Sequence, residues 1–474
     1  MRKTKIICTL GPASDTAETI RAMIEAGMNV ARFNFSHGTQ KSHLETFRTL
    51  VKVRNELQAP VATVLDTKGP EIRIKTFAEG KVTLDKDQKF TLTINEIEGT
   101  KDAVSITYKD LPKDIAVGSP ILIDDGLIEL LVESKTDTDI VCKVEVGGML
   151  SNRKGINLPG TRFSMPYLNQ YDYDDIVFGI RTGFDYIAAS FVRTKEDVLE
   201  VRKILDENGG RHVSIISKVE NAEGVENIDE IIEVSDAIMI ARGDMGVEIP
   251  FEEIPMLQKK IIKATVKAGK PVVIATQMLE SMSVHSRPTR AETNDVANAI
   301  YDGTSATMLS GETANGKFPV EAVKTMAKIA LRAEKDINYK KRFFNASVEQ
   351  NAHDITDAIS HATCLTAYNL NAKAIITVTE LGGTARMISR FRADIPIIAC
   401  TPNATTLRQL ALSWGVRSIM VGEENVTDVL FESAVNAAIH AGAIEYGDLV
   451  ILTAGVPLGV SGSTNLIKVV HAGE

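Results

Sequence analysis

The stretch Ile215-Ile216-Ser217-Lys218-Val219-Glu220-Asn221 (IISKVEN) starts as a buried strand and ends in charge. Side chains alternate faces along a strand, so Lys218 and Glu220 point the same way. Taken alone, the pair reads as a surface ion pair where a strand meets solvent. Seven further short apolar runs resemble it. Strands are expected at Lys5–Leu10, Asn29–Asn34, Ala62–Leu65, Tyr186–Ala189, Ser214–Lys218, Ala237–Ala241, Val272–Ala275 and Ser305–Leu309. Amphipathic segments such as Ala17–Ala26, Lys195–Asn208 and Pro255–Lys267 lie between most of them. Strand-helix alternation means parallel strands with crossover helices, and eight such units make a closed barrel the natural count.

One gap breaks the rhythm. From Gly69 to Pro166 the chain runs through KVTL, KFTLTI, AVSIT, PILIDDGLIELLVE and DIVCKVEV, alternating runs separated by turn residues. The pattern is that of a small all-β barrel domain inserted in a barrel loop. Barrel chemistry sits on such loops, so the insert is placed to act as a lid, with Gly69-Pro70 and Pro159-Gly160 to Pro166 as hinges. After Asp336, KAIITVTE, IPIIACT, VRSIMVG, DLVILTAG and LIKVVH alternate with helical segments. The expected fold class is α/β: a (β/α)8 TIM barrel over residues 1–68 and 167–337, the β-barrel insert over 69–166, and a C-terminal α/β domain over 338–474. The polar segment 338–352 is the expected connection.

Of the 474 residues, 44% are apolar and 24% charged, a soluble globular balance. The 53 Lys and Arg against 62 Asp and Glu leave a net charge of -9. That speaks against a nucleic-acid partner, but not against an anionic substrate held by a few cations. The four cysteines are far apart and the eight histidines show no ligand spacing, so neither zinc nor a disulfide framework is expected. A reducing, cytoplasmic compartment fits. The basic tip of MRKTKIICTLGP precedes an apolar stretch too short for a signal peptide. No apolar run approaches the roughly 18 residues that span a membrane, so no membrane partner is expected.

In such barrels the site lies at the C-terminal strand ends. Here those ends read Arg32-Phe33-Asn34-Phe35-Ser36-His37, Asp66-Thr67-Lys68, Lys218-Val219-Glu220, Arg242-Gly243-Asp244, Thr276-Gln277 and Ser310-Gly311-Glu312. Polar groups at six of eight ends point to one shared site. Glu220 and Asp244 are hard oxygen ligands suited to Mg2+ or Mn2+, with capping or ion pairing as the bland alternative. Arg32 and Lys218 suit anionic oxygens. No Ser-His-Asp order or activated cysteine is present, so metal and cations without a protein nucleophile favour phosphoryl transfer or enolate stabilisation. Gly311 to Lys317 matches the start of a P-loop, but Phe318 stands where its Ser or Thr belongs, and the match reads as chance.

MNVARFNFSHG, LDTKGPEIR, GINLPG, ISKVEN, ARGDMGVEIP, ATQMLESM, RPTRAE and DGTSATMLSGETANGKFP, in this order, resemble the pyruvate kinase family along the whole chain. The resemblance implies phosphoryl transfer from phosphoenolpyruvate to ADP. It makes Lys218 the transition-state stabiliser, Arg32 the phosphate-binding arginine, and Thr276 the residue beside the carbon that is protonated. Glu220 and Asp244 match the divalent-metal ligands, and Gly243 with Asp244 would receive the substrate carboxylate on backbone N–H groups. Asn34, His37, Arg73 and Lys154 resemble nucleotide contacts. Asn34, Ser36, Asp66 and Thr67 match a K+ site, and Glu71 supports K+ dependence, since K+-independent members tend to carry lysine there.

The family's C-terminal domain often binds a phosphorylated effector in a loop, here Thr379-Glu380-Leu381-Gly382-Gly383-Thr384. Glu380 would repel a phosphate, so fructose 1,6-bisphosphate is not the expected activator, while AMP or another sugar phosphate remains a candidate. Family members are usually homotetramers. A metal-dependent oxo-acid lyase would share barrel and metal but leave Arg73, Lys154 and the insert unexplained. An idle scaffold would show erosion at Lys218, Glu220 or Asp244, and all three are present.

Overall fold

The computed structural model describes residues 1–346, 354–424, 426–457 and 464–474. Eight parallel strands close into a ring in sequence order: β1 (Lys5–Thr9), β2 (Val30–Asn34), β3 (Ala62–Asp66), β4 (Tyr186–Ala189), β5 (Ser214–Val219), β6 (Ala237–Ala241), β7 (Val272–Ala275) and β8 (Ala306–Leu309). The ring closes where β1 pairs with β8, Lys5 beside Ala306. Each strand lies within one residue of its expected position at either end. The period of two sorts the strands into two apolar clusters. Ile7, Val30, Val64, Ala188, Ile216, Met239, Val273 and Met308 fill the interior. Ile6, Phe33, Leu65, Ile187, Ile215, Ile240 and Ile274 face the surrounding helices.

The segment between β3 and β4 forms a seven-stranded sheet in the order 72–73, 155–157, 120–123, 128–135, 139–146, 89–93, 103–105, with a two-stranded ladder of Lys81–Leu84 and Gly148–Ser151 beside it. Its two edges meet through isolated bridges, Ile74↔Ile106 and Phe77↔Gly99, rather than along a ladder. Phe90, Leu92, Val104, Ile121 and Val144 form its core. A short helix, Leu111–Asp114, opens on Leu111-Pro112, where proline costs the helix no hydrogen bond.

A five-stranded sheet ends the chain, ordered Val416–Met420, Ile397–Thr401, Ala374–Val378, Leu449–Gly455, Thr464–His471, with only the last strand antiparallel. The segment 338–352, expected as a polar connection, holds a helix over Tyr339–Ala346. Tyr339 and Phe343 lie one turn apart and are both buried, an apolar face that the polar residues between them disguise. Residues 347–352 of that connection lie outside the described residues.

The C-terminal sheet's turn Leu410–Leu412 plugs the lower mouth of the barrel, and Ala411 and Leu412 join the barrel's interior cluster. Lys5, at the start of β1, is buried there and donates to Val416 O at 2.6 Å. Burial, aided by Arg2 and opposed by Glu334, lowers its pKa to about 7. The unfolded chain holds that proton up to about 10.4. Between the two values the unfolded state binds more protons, so this group's contribution to stability rises with pH from about 7 and levels off above 10. Thermal midpoints of wild type and Lys5→Met should therefore separate between pH 6.5 and 9, wild type gaining with pH relative to the variant. Parallel profiles would refute it.

Candidate active site

The upper ends of the strands carry the inward parity into charge. Two residues beyond Val30, Val64, Ala188 and Ile216 stand Arg32, Asp66, Ser190 and Lys218, and Glu220 follows Lys218 by two. All five are buried, Lys218 at 8% and Glu220 at 1% exposure, which rules out a surface ion pair. Asp66 accepts from Arg32 Nε at 2.5 Å and from Lys218 Nζ at 3.1 Å. Arg32 Nη1 also donates to Thr9 Oγ1 at 2.9 Å. Lys218 Nζ lies 2.8 Å from Ser190 Oγ and 3.2 Å from Glu220 Oε1. The other Glu220 oxygen accepts the Phe191 N–H at 2.6 Å.

Burial disfavours the charge on Lys218, but Asp66 and Glu220 outweigh it and raise the pKa. Asp66 is pushed down: burial opposes its charge, and Arg32 and Lys218 overcome it. Glu220 rises to about 7, because burial and Asp244 exceed the pull of Lys218. Asp244, hydrogen-bonded to Glu220, is raised too, chiefly by burial. Two carboxyls, one buried and one half-buried, whose charge is disfavoured beside a cation are a donor set that a divalent ion suits, since it supplies positive charge. Among the described residues no group of three or more His, Cys, Asp or Glu side chains gathers as a metal cluster, here or elsewhere.

Gly243 and Asp244 lie on the helical turn Arg242–Glu248 that follows β6. The Gly243 N–H donates to Thr276 Oγ1 at 2.7 Å, so it is engaged rather than open for a carboxylate. Thr276 Oγ1 in turn donates to Ala275 O at 2.6 Å. Thr276 and Gln277 both hold left-handed backbone, φ 69° and 54°. Two such residues in succession store strain of about 1–3 kcal/mol each.

Above the cluster, insert and barrel enclose a cavity of about 440 Å³ lined by His37, Arg73, Lys154, Asp125, Phe191 and Asp244, among others. Arg73 pairs with Glu71 at 2.5 Å and Lys154 with Asp124 at 2.8 Å. The insert is tied down where Asn157 Nδ2 and Leu158 N–H donate to Glu248 Oε1 at 3.0 and 3.2 Å. A larger groove of about 660 Å³, lined by Ala22, Lys328 and Leu331 among others, lies between helices Ala17–Ala26 and Pro319–Asp336, on the other side of the barrel wall from these charges.

Asn34 and Asp66 are direct partners across β2 and β3, with Ser36 and Thr67 just beyond. Asn34 Oδ1 accepts the Ser36 N–H at 3.1 Å, and Thr67 Oγ1 accepts from Ser190 N–H at 3.2 Å. Glu71 turns to Arg73 instead of this cluster. In the C-terminal domain, Thr379 Oγ1 accepts the Gly382 N–H and Thr384 Oγ1 meets Thr464 Oγ1 at 2.8 Å. Arg386, one turn into the helix Gly383–Arg390 that Gly382 caps, reaches back to Leu381 O, a cation near Glu380 that the loop sequence did not reveal. Around Gly311 the P-loop likeness dissolves: the stretch forms the helical turn Gly311–Ala314, and the Glu312 carboxylate accepts the Ser310 and Leu279 N–H groups. Sequence reasoning also missed Ser190, because one serine after an apolar run carries no signal.

Two family models match the chain: pyruvate kinase, barrel domain, over residues 1–323, and pyruvate kinase, alpha/beta domain, over 357–470. The chain belongs to the pyruvate kinase family. It is 51% identical to the pyruvate kinase of Clostridium acetobutylicum over 99% of both chains. It is also 51% identical to that of Staphylococcus saprophyticus, over 100% of this chain and 81% of the relative. A crystal structure of a pyruvate kinase from Cryptosporidium parvum superposes with a TM-score of 0.94 at 41% identity, covering 99% of this chain and 96% of that one. This family member is therefore an enzyme, a kinase, on the family's TIM-barrel fold. Among the described residues no helix is long and apolar enough to cross a membrane.

Proposed function

We propose that this chain transfers the phosphoryl group of phosphoenolpyruvate to ADP, giving pyruvate and ATP as the last step of glycolysis. The buried cluster of Arg32, Asp66, Lys218 and Glu220 beneath a cavity lined by Arg73 and Lys154 carries this reading. The bond between the enol oxygen and phosphorus breaks, ADP's terminal phosphate oxygen takes the phosphorus, and the enolate carbon gains a proton. Arg32 binds the phosphate and Lys218 donates to the phosphoryl oxygens in transit, where charge is spread. Both sit in a water-poor layer in which each charge counts for more. Thr276 stands near the protonated carbon; its hydroxyl points at Ala275 O, so a water delivering the proton fits better than Thr276 itself. Gly243 and Asp244 frame the carboxylate end. Asn34, His37, Arg73 and Lys154 take the nucleotide, with Glu71 and Asp124 holding the two cations until phosphates displace them.

Glu220 and Asp244 would hold Mg2+ or Mn2+, which when bound neutralises the substrate's oxygens. Asn34, Ser36, Asp66 and Thr67 would hold K+, whose weak charge suits neutral oxygens and one carboxylate. The insert over 69–166 acts as the lid, hinged at Gly69. The domain over 338–474 is regulatory, its loop of Thr379, Glu380, Gly382, Gly383 and Thr384 taking AMP or a sugar phosphate, in a cytoplasmic homotetramer.

Pyruvate formation from phosphoenolpyruvate and ADP with Mg2+ tests the reaction, run once in K+ and once in Na+. Turnover that needs K+ is expected. Equal rates in both salts would remove the K+ site and keep the kinase; no turnover in either would refute the reaction.

A further inference from the structure

Every polar atom of Ser190 has a partner. Its N–H donates to Thr67 Oγ1 at 3.2 Å and its carbonyl accepts from Tyr167 Oη at 2.9 Å. Its hydroxyl accepts from Lys218 Nζ at 2.8 Å. That hydroxyl has one proton to give, and Thr67 O at 2.7 Å is nearer than Asp66 Oδ1 at 3.1 Å. The backbone beside it is equally constrained. Gly69 passes at φ 74°, so close that a Cβ there would stand 2.9 Å from the Ser190 Cβ. Phe191 takes the left-handed conformation, φ 55°, that brings its N–H to Glu220. The residue is 1% exposed, and β4 ends directly before it.

Of the three N–H donors of the Lys218 ammonium, two go to Asp66 and Ser190, and Glu220 pairs with it by charge at 3.2 Å. The two carboxylates supply charge balance. The serine supplies direction: it is the shortest contact and the only neutral acceptor among the three. Without it, the ammonium could swing between two carboxylates about equally distant at 3.1 and 3.2 Å.

We propose that Ser190 is a positioning residue for Lys218, its hydroxyl fixing the direction in which the ammonium meets the transferring phosphoryl group. The proposal rests on the role given to Lys218 above. It also explains the strain at Phe191, which ties the same turn to Glu220.

The test is a double-mutant cycle in the full chain with saturating Mg2+ and K+. Ser190→Ala should lower kcat about 10- to 100-fold, as losing one hydrogen bond to a charged group does, with KM for phosphoenolpyruvate within about threefold. In a Lys218→Met background the same change should cost almost nothing further. Ser190→Cys, which keeps the packing but offers only a weak acceptor, should fall between and serves if the alanine variant folds poorly. A full kcat in Ser190→Ala, or in Ser190→Cys where that variant has to serve, overturns the proposal alone, as does an equal loss in both Lys218 backgrounds. An undiminished kcat in Lys218→Met overturns the role of Lys218 and this proposal with it.

Discussion

Replacing Lys218 by methionine should lower kcat by at least about 10²-fold while the protein stays folded. Lys218 is the one ammonium in contact with both Asp66 and Glu220, and it lies on the inward face of β5 where the strand stops. Removing it strands no charge. Asp66 keeps Arg32 at 2.5 Å, Ser190 keeps Thr67 O, and Glu220, already near 7, gains a proton once its nearest cation is gone. Methionine fills much of the same volume, so the cavity cost is small. The loss should therefore appear in kcat and not in the thermal midpoint. Steady-state kinetics beside a melting curve decide it, and a kcat within threefold of wild type would dismiss Lys218 as the stabilising cation.

Asp185→Ala should do the reverse, costing about 3–5 kcal/mol of stability, because it breaks a buried charge network from one side. Asp185 is fully buried below β4. It accepts from Thr63 N–H at 2.9 Å and Thr63 Oγ1 at 3.0 Å, and from Arg408 Nε at 2.8 Å, with Arg54 at 3.9 Å. Burial raises its pKa even with both arginines beside it, so the network is no large net gain. Its loss is still expensive, since alanine leaves two guanidiniums without an anion and the Thr63 groups without an acceptor. Asp185→Asn retains the shape and should cost clearly less. Thermal unfolding of both variants is the check, with a fall of several degrees expected for alanine; a shift under 1 °C would mean that water replaces the carboxylate.

The barrel and its site were largely readable because both follow from the period of two. A strand whose interior positions are Ile216 and then Lys218 and Glu220 places its charges inward whenever its apolar face does, and β2, β3 and β4 repeat the pattern with Arg32, Asp66 and Ser190. The helix Tyr339–Ala346 was not readable, since two buried aromatic residues, Tyr339 and Phe343, among lysines, arginine and asparagine carry too little periodicity. Ser190 escaped for a related reason: a serine hydroxyl has many roles, and only its neighbours select one. The engagement of the Gly243 N–H by Thr276 joins two strand ends that sequence order keeps apart.

The sequence by itself determined the eight-strand count, the inserted and C-terminal units, and which residue types stand at the strand ends, because local periodicity and turn chemistry encode these. Only the tertiary structure decided the hydrogen-bonding order within the charged layer. Asp66 bridges Arg32 and Lys218, Glu220 accepts the Phe191 N–H, and Leu412 closes the barrel from 194 residues after Lys218 (412 minus 218). Those pairings are set by ring closure and burial, which bring distant strands within hydrogen-bonding distance and make buried charges find partners in the protein.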